Sequence, residues 1–275
     1  MQTGTISGQG NIVPLSANLG FLWTELALPQ AVRAAARAGF DAVELHWPYA
    51  VDPAVLKDVL DETGLSVLAL NTSRGDPTKG EFGLAAVPGR DGEARAHLDQ
   101  ALAYARAIGA GRIHVLAGIA EGVGARSLFI DNLRRARDLV APHGIDLLIE
   151  PLNSRDVPGY FLSDCDTARE IVEAVGGQGV SIMYDLYHMQ IMRGDLLTQA
   201  NRHMDRIGHI QFAANPGRGV PDRGEVDFTW LLPALRDAGY GGFFGAEYRP
   251  GADTDASLGW MARFRVNLSA PRSPS

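Results

Sequence analysis

Four apolar runs in the second half of the chain each stop on a residue with a side-chain oxygen. Residues 145–149 run into Glu150, 180–184 into Asp185, 207–210 into Gln211 and 242–246 into Glu247. Each run has the length and apolar weight of a buried strand. The first is stopped at once by Pro151, which lacks an N–H and cannot extend a central strand. A side chain at that point sits at the C-terminal mouth of its strand, the edge where parallel α/β proteins carry their chemistry. One such residue constrains little, because an acid after a strand is commonly a helix N-cap or half of a loop ion pair. Four in succession, three of them acidic, describe a divalent cation site of hard oxygen donors.

The same alternation fills the rest of the chain. Strand-like runs at 15–19, 41–45, 65–70 and 112–116 alternate with helical spacing at 28–38, 53–63, 93–108 and 125–143. Gly39, Gly64, Gly109 and Gly144 stand where those helices must end. Further helical patterns cover 166–175, about 186–203 with an interruption near Gly194, 228–238 and 257–267. Eight strand–helix units without a composition break predict an α/β chain folded as one (β/α)8 TIM barrel over residues 13–268. Residues 1–12 are expected to be a flexible segment and 269–275 a disordered tail. A doubly wound sheet would need a Gly-rich phosphate turn after the first strand, and Asn18-Leu19-Gly20-Phe21-Leu22 is not one. The connection at 71–90 is long for a compact domain and reads as a functional lid.

Composition narrows the partners. Lys and Arg number 25 against 32 Asp and Glu, a net charge of −7, which argues against a nucleic-acid footprint and against an anionic membrane surface. Cys165 is the single cysteine, so no intrachain disulfide exists. Its acidic neighbours Asp164 and Asp166 disfavour a thiolate, and it reads as incidental. No basic stretch leads into an apolar run at the N-terminus, and no run approaches the length of a membrane span; a cytoplasmic protein is expected. A homo-oligomer is left open.

A cation held by Glu150, Asp185, Gln211 and Glu247 would be Mg²⁺ or Mn²⁺ rather than Zn²⁺, because the donors are oxygens without cysteine. Its open positions suit a chelating small-molecule substrate such as an α-hydroxycarbonyl, with the cation polarising the carbonyl and stabilising an enediolate. Glu150 and Glu247 come from well-separated strands. They can face each other across the mouth, one removing a proton from one carbon and the other returning it to the next. That is aldose–ketose isomerisation. His188, three residues after Asp185, is in reach of a substrate oxygen, and Arg218 of a substrate carboxylate. Glu44 and His46 end the second strand without a recognisable partner. Phe21, Trp23 and Trp47 follow the first two strands as pocket wall or core. His114 and His143 read as structural.

The stretch Ile149-Glu150-Pro151-Leu152-Asn153-Ser154-Arg155-Asp156-Val157-Pro158-Gly159-Tyr160 resembles the hydroxypyruvate isomerase family. Tyr184-Asp185-Leu186-Tyr187-His188-Met189-Gln190, His209-Ile210-Gln211 with Asn215-Pro216-Gly217-Arg218, Gly245-Ala246-Glu247-Tyr248 and the loop Leu70-Asn71-Thr72-Ser73-Arg74-Gly75-Asp76 fit it too. The resemblance spans 17–264 and implies a xylose-isomerase-like barrel. It implies reversible conversion of hydroxypyruvate to 2-hydroxy-3-oxopropanoate (tartronate semialdehyde), within glyoxylate metabolism. By position, Glu150 and Glu247 would be the proton-transfer pair and metal ligands, with Asp185 and Gln211 completing the metal site. His188 and Arg218 match positions that contact substrate in the related keto-sugar epimerases. Those epimerases usually carry His where this chain has Gln211, which favours the hydroxypyruvate and 2-oxo-tetronate isomerase branch over a 3-epimerase. The segment Val220-Pro221-Asp222-Arg223-Gly224 departs from the expected Pro-Gly-x-Gly, and Leu45-His46-Trp47-Pro48-Tyr49 from a Phe-rich version. A relative of the abasic-site endonucleases would need a His-rich multi-zinc site and a basic groove, which 7 His and an acidic balance do not offer. A metal-binding barrel without catalysis is the remaining alternative.

Overall fold

The strands are buried on both faces, and that is why they read as unbroken apolar runs instead of alternating ones. The computed structural model describes residues 13–266. The strands are β1 (Leu15–Asn18), β2 (Ala42–Leu45), β3 (Ser66–Asn71), β4 (Arg112–His114), β5 (Asp146–Ile149), β6 (Val180–Asp185), β7 (Ile207–Phe212) and β8 (Phe244–Ala246). They run parallel in chain order and close into a barrel, with Leu15 of β1 in register with Phe244 of β8. The helices α1 (Leu28–Ala38), α2 (Pro53–Thr63), α3 (Asp91–Ile108), α4 (Gly122–Val140), α5 (Cys165–Val175), α6 (Leu186–Met192), α7 (Leu196–His203), α8 (Phe228–Asp237) and α9 (Trp260–Val266) complete the alternation. The flexible segment expected at 1–12 and the tail at 269–275 lie outside the described residues.

Local chemistry sets the boundaries. Asp52 caps the Ala54 N–H, Pro53 opens α2, and Gly64 closes it at φ 70°. Asp164 caps the Thr167 N–H at the start of α5. α1 turns Ala31, Val32, Ala34 and Ala35 inward; small side chains there let the helix lie close on the sheet. The long pattern at 186–203 is two helices, α6 and α7, because Gly194 and Asp195 both take positive φ. The last helix starts only at Trp260, after a 3-10 turn at Asp255–Ser257. Cys165 is buried with its Sγ 3.3 Å from Met189 Sδ, and its thiol is pushed up to about 12 by burial first and by Asp164 and Asp166 next. No described helix is long and apolar enough to cross a membrane.

The segment at 71–90, expected to be a lid, is held by contacts at several points. Arg90 donates to Glu81 at 2.7 Å, the Gly83 N–H to the Arg74 carbonyl at 2.8 Å, and Gly83 bridges Ala117. A Cβ on Gly83 would stand 2.4 Å from the Leu116 carbonyl oxygen, so glycine is what allows the loop to lie against the chain after β4.

Candidate active site

The strand ends bring Glu150, Asp185, Gln211 and Glu247 to one mouth. Glu150 directly follows β5, Asp185 is the last residue of β6, and Glu247 directly follows β8. Asp185 is in register with Gln211, and Gln211 with Gly245. All four are buried, at 7%, 0%, 2% and 5% exposure. Asp185 is a helix cap and also a member of the cluster. Its Oδ1 accepts the Tyr187 N–H and caps α6, while its Oδ2 faces Arg218 and His188.

Arg218 reaches the cluster from the loop after β7. Its Nη2 is 2.9 Å from Asp185 Oδ2 and 3.2 Å from Glu247 Oε2. The guanidinium lies between the rings of Phe21 and Tyr187, at 4.6 and 5.0 Å from their centroids. Arg218 takes φ 56°, a left-handed backbone that costs a non-glycine residue energy and that clusters at functional sites. Phe21 is thus a wall of the site, whereas Trp23 is a core residue at 2% exposure. Trp47 stacks edge-on against His46 and carries the Arg74 guanidinium over its face.

His188 is fixed in one tautomer. The Asn153 backbone N–H donates to its Nδ1 at 3.0 Å, so the ring proton sits on Nε2. Burial, with Arg218 and His114 adding to it, pushes its pKa well below the usual value, so the ring is neutral. Nε2 lies 3.5 Å from Asp185 Oδ2 and 3.9 Å from Glu150 Oε1. Glu150, Asp185 and His188 offer ligand atoms within 4.8 Å of one another, a triad that could hold a metal ion. With its proton on Nε2, His188 is a hydrogen-bond donor to that space, and the carboxylates are the stronger part of the triad.

Three further residues belong to the site. Glu44 accepts from the Gln211 amide at 2.7 Å; His46 Nε2 lies 3.1 Å from Glu247 Oε1; His114 Nε2 lies 3.7 Å from Glu150 Oε2. His114, expected to be structural, stands beside a candidate catalytic carboxylate. Glu44 and His46 stand at the mouth end of β2 and His114 ends β4, but Glu44 and His114 fall inside the apolar runs read from the sequence, so the rule that found the other four did not single them out. Gln211 and Glu247, the partners of Glu44 and His46, come from β7 and β8, strands that do not pair with β2, which no local pattern reveals; Glu150 comes from β5, next to β4.

The electrostatics ask for a cation. Three buried carboxylates (Glu150, Asp185, Glu247) share one Arg, and a fourth, Glu44, is buried beside His209. Burial pushes Glu150 well above the carboxylate range, and Glu247 and Asp185 push it further. Burial likewise raises Asp185 to about 7 against the pull of Arg218. Burial also works on Glu247, but Arg218 and His46 overcome it and hold Glu247 below its ordinary value. Glu247 Oε2 is ion-paired with Arg218 at 3.2 Å, while among the described residues Glu150 Oε1 and Gln211 Oε1 are buried without a hydrogen-bond partner. Buried oxygens are rarely left so unless something else fills them. The donor set fits a hard divalent cation.

A sequence model of the xylose isomerase-like TIM barrel family matches residues 32–264. The chain belongs to that family. Within it, hydroxypyruvate isomerase of Escherichia coli (strain K12) is 38% identical over 254 residues, covering 91% of this chain and 98% of that one. The 2-oxo-tetronate isomerase of Cupriavidus necator is 42% identical over 250 residues, covering 90% and 96%. A crystal structure from Brucella melitensis, described as an AP endonuclease of family 2, matches with a TM-score of 0.88 at 38% identity, covering 92% of this chain and all of that one (100%). With relatives of both isomerase names at this identity and coverage, this xylose isomerase-like barrel is an isomerase.

Proposed function

We propose that the chain interconverts hydroxypyruvate and 2-hydroxy-3-oxopropanoate by cation-assisted proton transfer through an enediolate. The observation that carries this reading is the pair Glu150 and Glu247. They lie at the ends of β5 and β8; among the described residues Glu150 Oε1 is buried without a hydrogen-bond partner, and Glu247 Oε2 faces Arg218 Nη2 at 3.2 Å. Glu150, Asp185, Gln211 and Glu247 would hold the cation, Mg²⁺ or Mn²⁺. Bound there, it would polarise the substrate carbonyl and stabilise the negative charge that develops on the enediolate oxygens. One glutamate takes a proton from C3 and the other delivers one to C2, while a hydroxyl proton moves between the two oxygens. The neutral His188 donates from Nε2 to a substrate oxygen. Arg218, held by Phe21 and Tyr187, supplies fixed positive charge beside the reacting oxygens.

A 2-oxo-tetronate isomerase with the same residues is the second reading, favoured by the Cupriavidus relative. A keto-sugar 3-epimerase is disfavoured by Gln211, and DNA cleavage by a site with acidic donors on a chain of net charge −7. A cytoplasmic setting and a part in glyoxylate metabolism belong to the same proposal. The test is a coupled assay on chelator-stripped protein given back Mg²⁺ or Mn²⁺. Hydroxypyruvate, four-carbon 2-oxo acids and free ketoses are offered side by side. Metal-dependent turnover with the best kcat/KM on hydroxypyruvate supports the proposal. A preference for a four-carbon acid moves the substrate and keeps the mechanism. Binding of the metal without turnover of any of them overturns the enzyme reading in favour of a binding barrel.

A further inference from the structure

Glu44 is a fully buried carboxylate that the proposed chemistry does not use. It points across the barrel interior, because its partner Gln211 is on β7 and two strands, β1 and β8, stand between β2 and β7. Its surroundings are built around it. The pairing of β2 with β3 slips between Val43 and Glu44, and such an irregularity re-aims the side chain that follows. Ser16 donates its hydroxyl to Oε1 at 2.6 Å, and His209 Nε2 lies 3.0 Å from the same oxygen. Gly245 leaves the room: a Cβ there would stand 2.3 Å from Glu44 Oε1 and 2.9 Å from both Gln211 Cγ and His209 Nε2. Both oxygens of Glu44 accept: Oε1 from the Ser16 hydroxyl and Oε2 from the Gln211 amide at 2.7 Å, so the group acts as a carboxylate.

A carboxylate only accepts hydrogen bonds, so the Gln211 amide must turn its NH2 toward Glu44. Its carbonyl oxygen is then left over, and Gln211 Oε1 is indeed buried and unpartnered. We infer that Glu44 is a positioning residue of the candidate metal site, holding the Gln211 amide in the one orientation that frees Oε1 as a ligand atom for a divalent cation. The inference rests on the cation reading above. A core that needed only stability would be served at lower cost by apolar side chains than by an extra buried negative charge beside three others. The charge is explained if an amide must be kept from flipping.

Glu44→Gln keeps the shape and removes the constraint. The new amide can accept from Ser16 and present its own NH2 to Gln211, which must then flip and aim N–H groups at the cation site. Mn²⁺ affinity, read by titration calorimetry or by the paramagnetic resonance of free Mn²⁺, is expected to fall about 10- to 100-fold, the usual effect of losing a group that orients a ligand. The double variant Glu44→Gln with Gln211→Glu exchanges the two groups. A carboxylate at 211 has an oxygen for the amide at 44 and another for the cation, so affinity should return to within about threefold. If the exchange is as weak as the single variant while both melt like the wild type, Glu44 supports only the packing and the inference is overturned. Unchanged Mn²⁺ affinity in Glu44→Gln overturns it as well. A cation-free measurement separates this from the cation reading. In protein labelled with ¹⁵N in glutamine side chains, the Gln211 NH2 resonances should be protected from exchange and shifted in the wild type, and altered in Glu44→Gln. Indifference of those resonances to the substitution overturns the role of Glu44, whereas a wild type that binds no Mn²⁺ overturns the cation reading.

Discussion

Strands β5 to β8 and strands β2 and β4 meet at the same barrel mouth but contribute in different ways. The later strands bring up Glu150, Asp185, Gln211 and Glu247, and among the described residues Glu150 and Gln211 each keep a buried oxygen without a hydrogen-bond partner. The earlier ones end on Glu44, His46 and His114, which stand against Gln211, Glu247 and Glu150 respectively. One half of the mouth offers open ligands; the other half holds them. The division follows from a physical conflict. A group that must bind something else cannot be fixed by satisfying the atom it binds with. It has to be gripped by its other atom, and for Gln211 and Glu247 that grip comes from β2, which pairs with neither β7 nor β8.

The comparison breaks most visibly if the open half is neutralised. Glu150→Gln and Glu247→Gln should each lower kcat by about 10²- to 10⁴-fold, the range for losing a positioned acid or base. Burial and neighbouring carboxylates penalise charge at Glu150, so the same Glu150→Gln should raise the melting temperature of the cation-free protein. A variant that is both inactive and less stable would show that Glu150 serves the fold and not the reaction.

Cation removal gives the next largest effect, and its pH dependence has a definite sign. Asp185 is raised from 3.8 to about 7 in the folded chain, burial being the main cause. Between those values the unfolded chain releases the proton while the folded one keeps it. The cation-free protein therefore loses stability as pH rises through that window, and Glu150 adds in the same direction. A bound cation favours the ionised carboxylates and offsets the loss. Calorimetry should show Mn²⁺ raising the melting temperature more at pH 8 than at pH 5.5. An equal shift at both would mean that the cation does not bind to these carboxylates.

A smaller effect tests the holding half. His46 Nε2 is 3.1 Å from Glu247 Oε1, while Oε2 of the same carboxylate faces Arg218 at 3.2 Å. His46→Gln should lower kcat about tenfold by letting that carboxylate turn, with KM much less changed. A change confined to KM would move His46 from orienting a residue to binding substrate.

Much of this mouth is legible in the chain because parallel strands buried on both faces end abruptly. Where the apolar run stops, the next polar residue is at the rim, and Pro151 marks one such stop beyond doubt. Glycines after α1, α2 and α3 fix helix ends by the same kind of local rule. The holding half obeys no local rule. Glu44 and Gln211 are 167 residues apart, and His46 and Glu247 are 201 apart. Only closure of the barrel makes them neighbours. Arg218 shows the same limit: its place in a loop after β7 was readable, but not its grip on Asp185 and Glu247. The connection at 71–90 was long enough to read as a lid, and what ties it down is a glycine-dependent contact with the chain after β4.

His114 draws the finest line between the halves. Its Nε2 is 3.7 Å from Glu150 Oε2, too far for a hydrogen bond, and has no other partner. Burial lowers its pKa to about 4 despite the opposing pull of Glu247, so at neutral pH it brings no charge to Glu150. A neutral ring at that distance limits where the carboxylate can swing but does little to its proton affinity. His114→Gln is expected to lower kcat only about two- to fivefold, less than His46→Gln, whose parent ring is in direct contact with its glutamate. The pH dependence of kcat should stay where it was. A loss as large as that of Glu150→Gln, with the pH profile displaced, would mean that His114 exchanges a proton with Glu150 during turnover. The ring would then belong to the reacting half, and the division between the two walls of the barrel would have to be redrawn at β4.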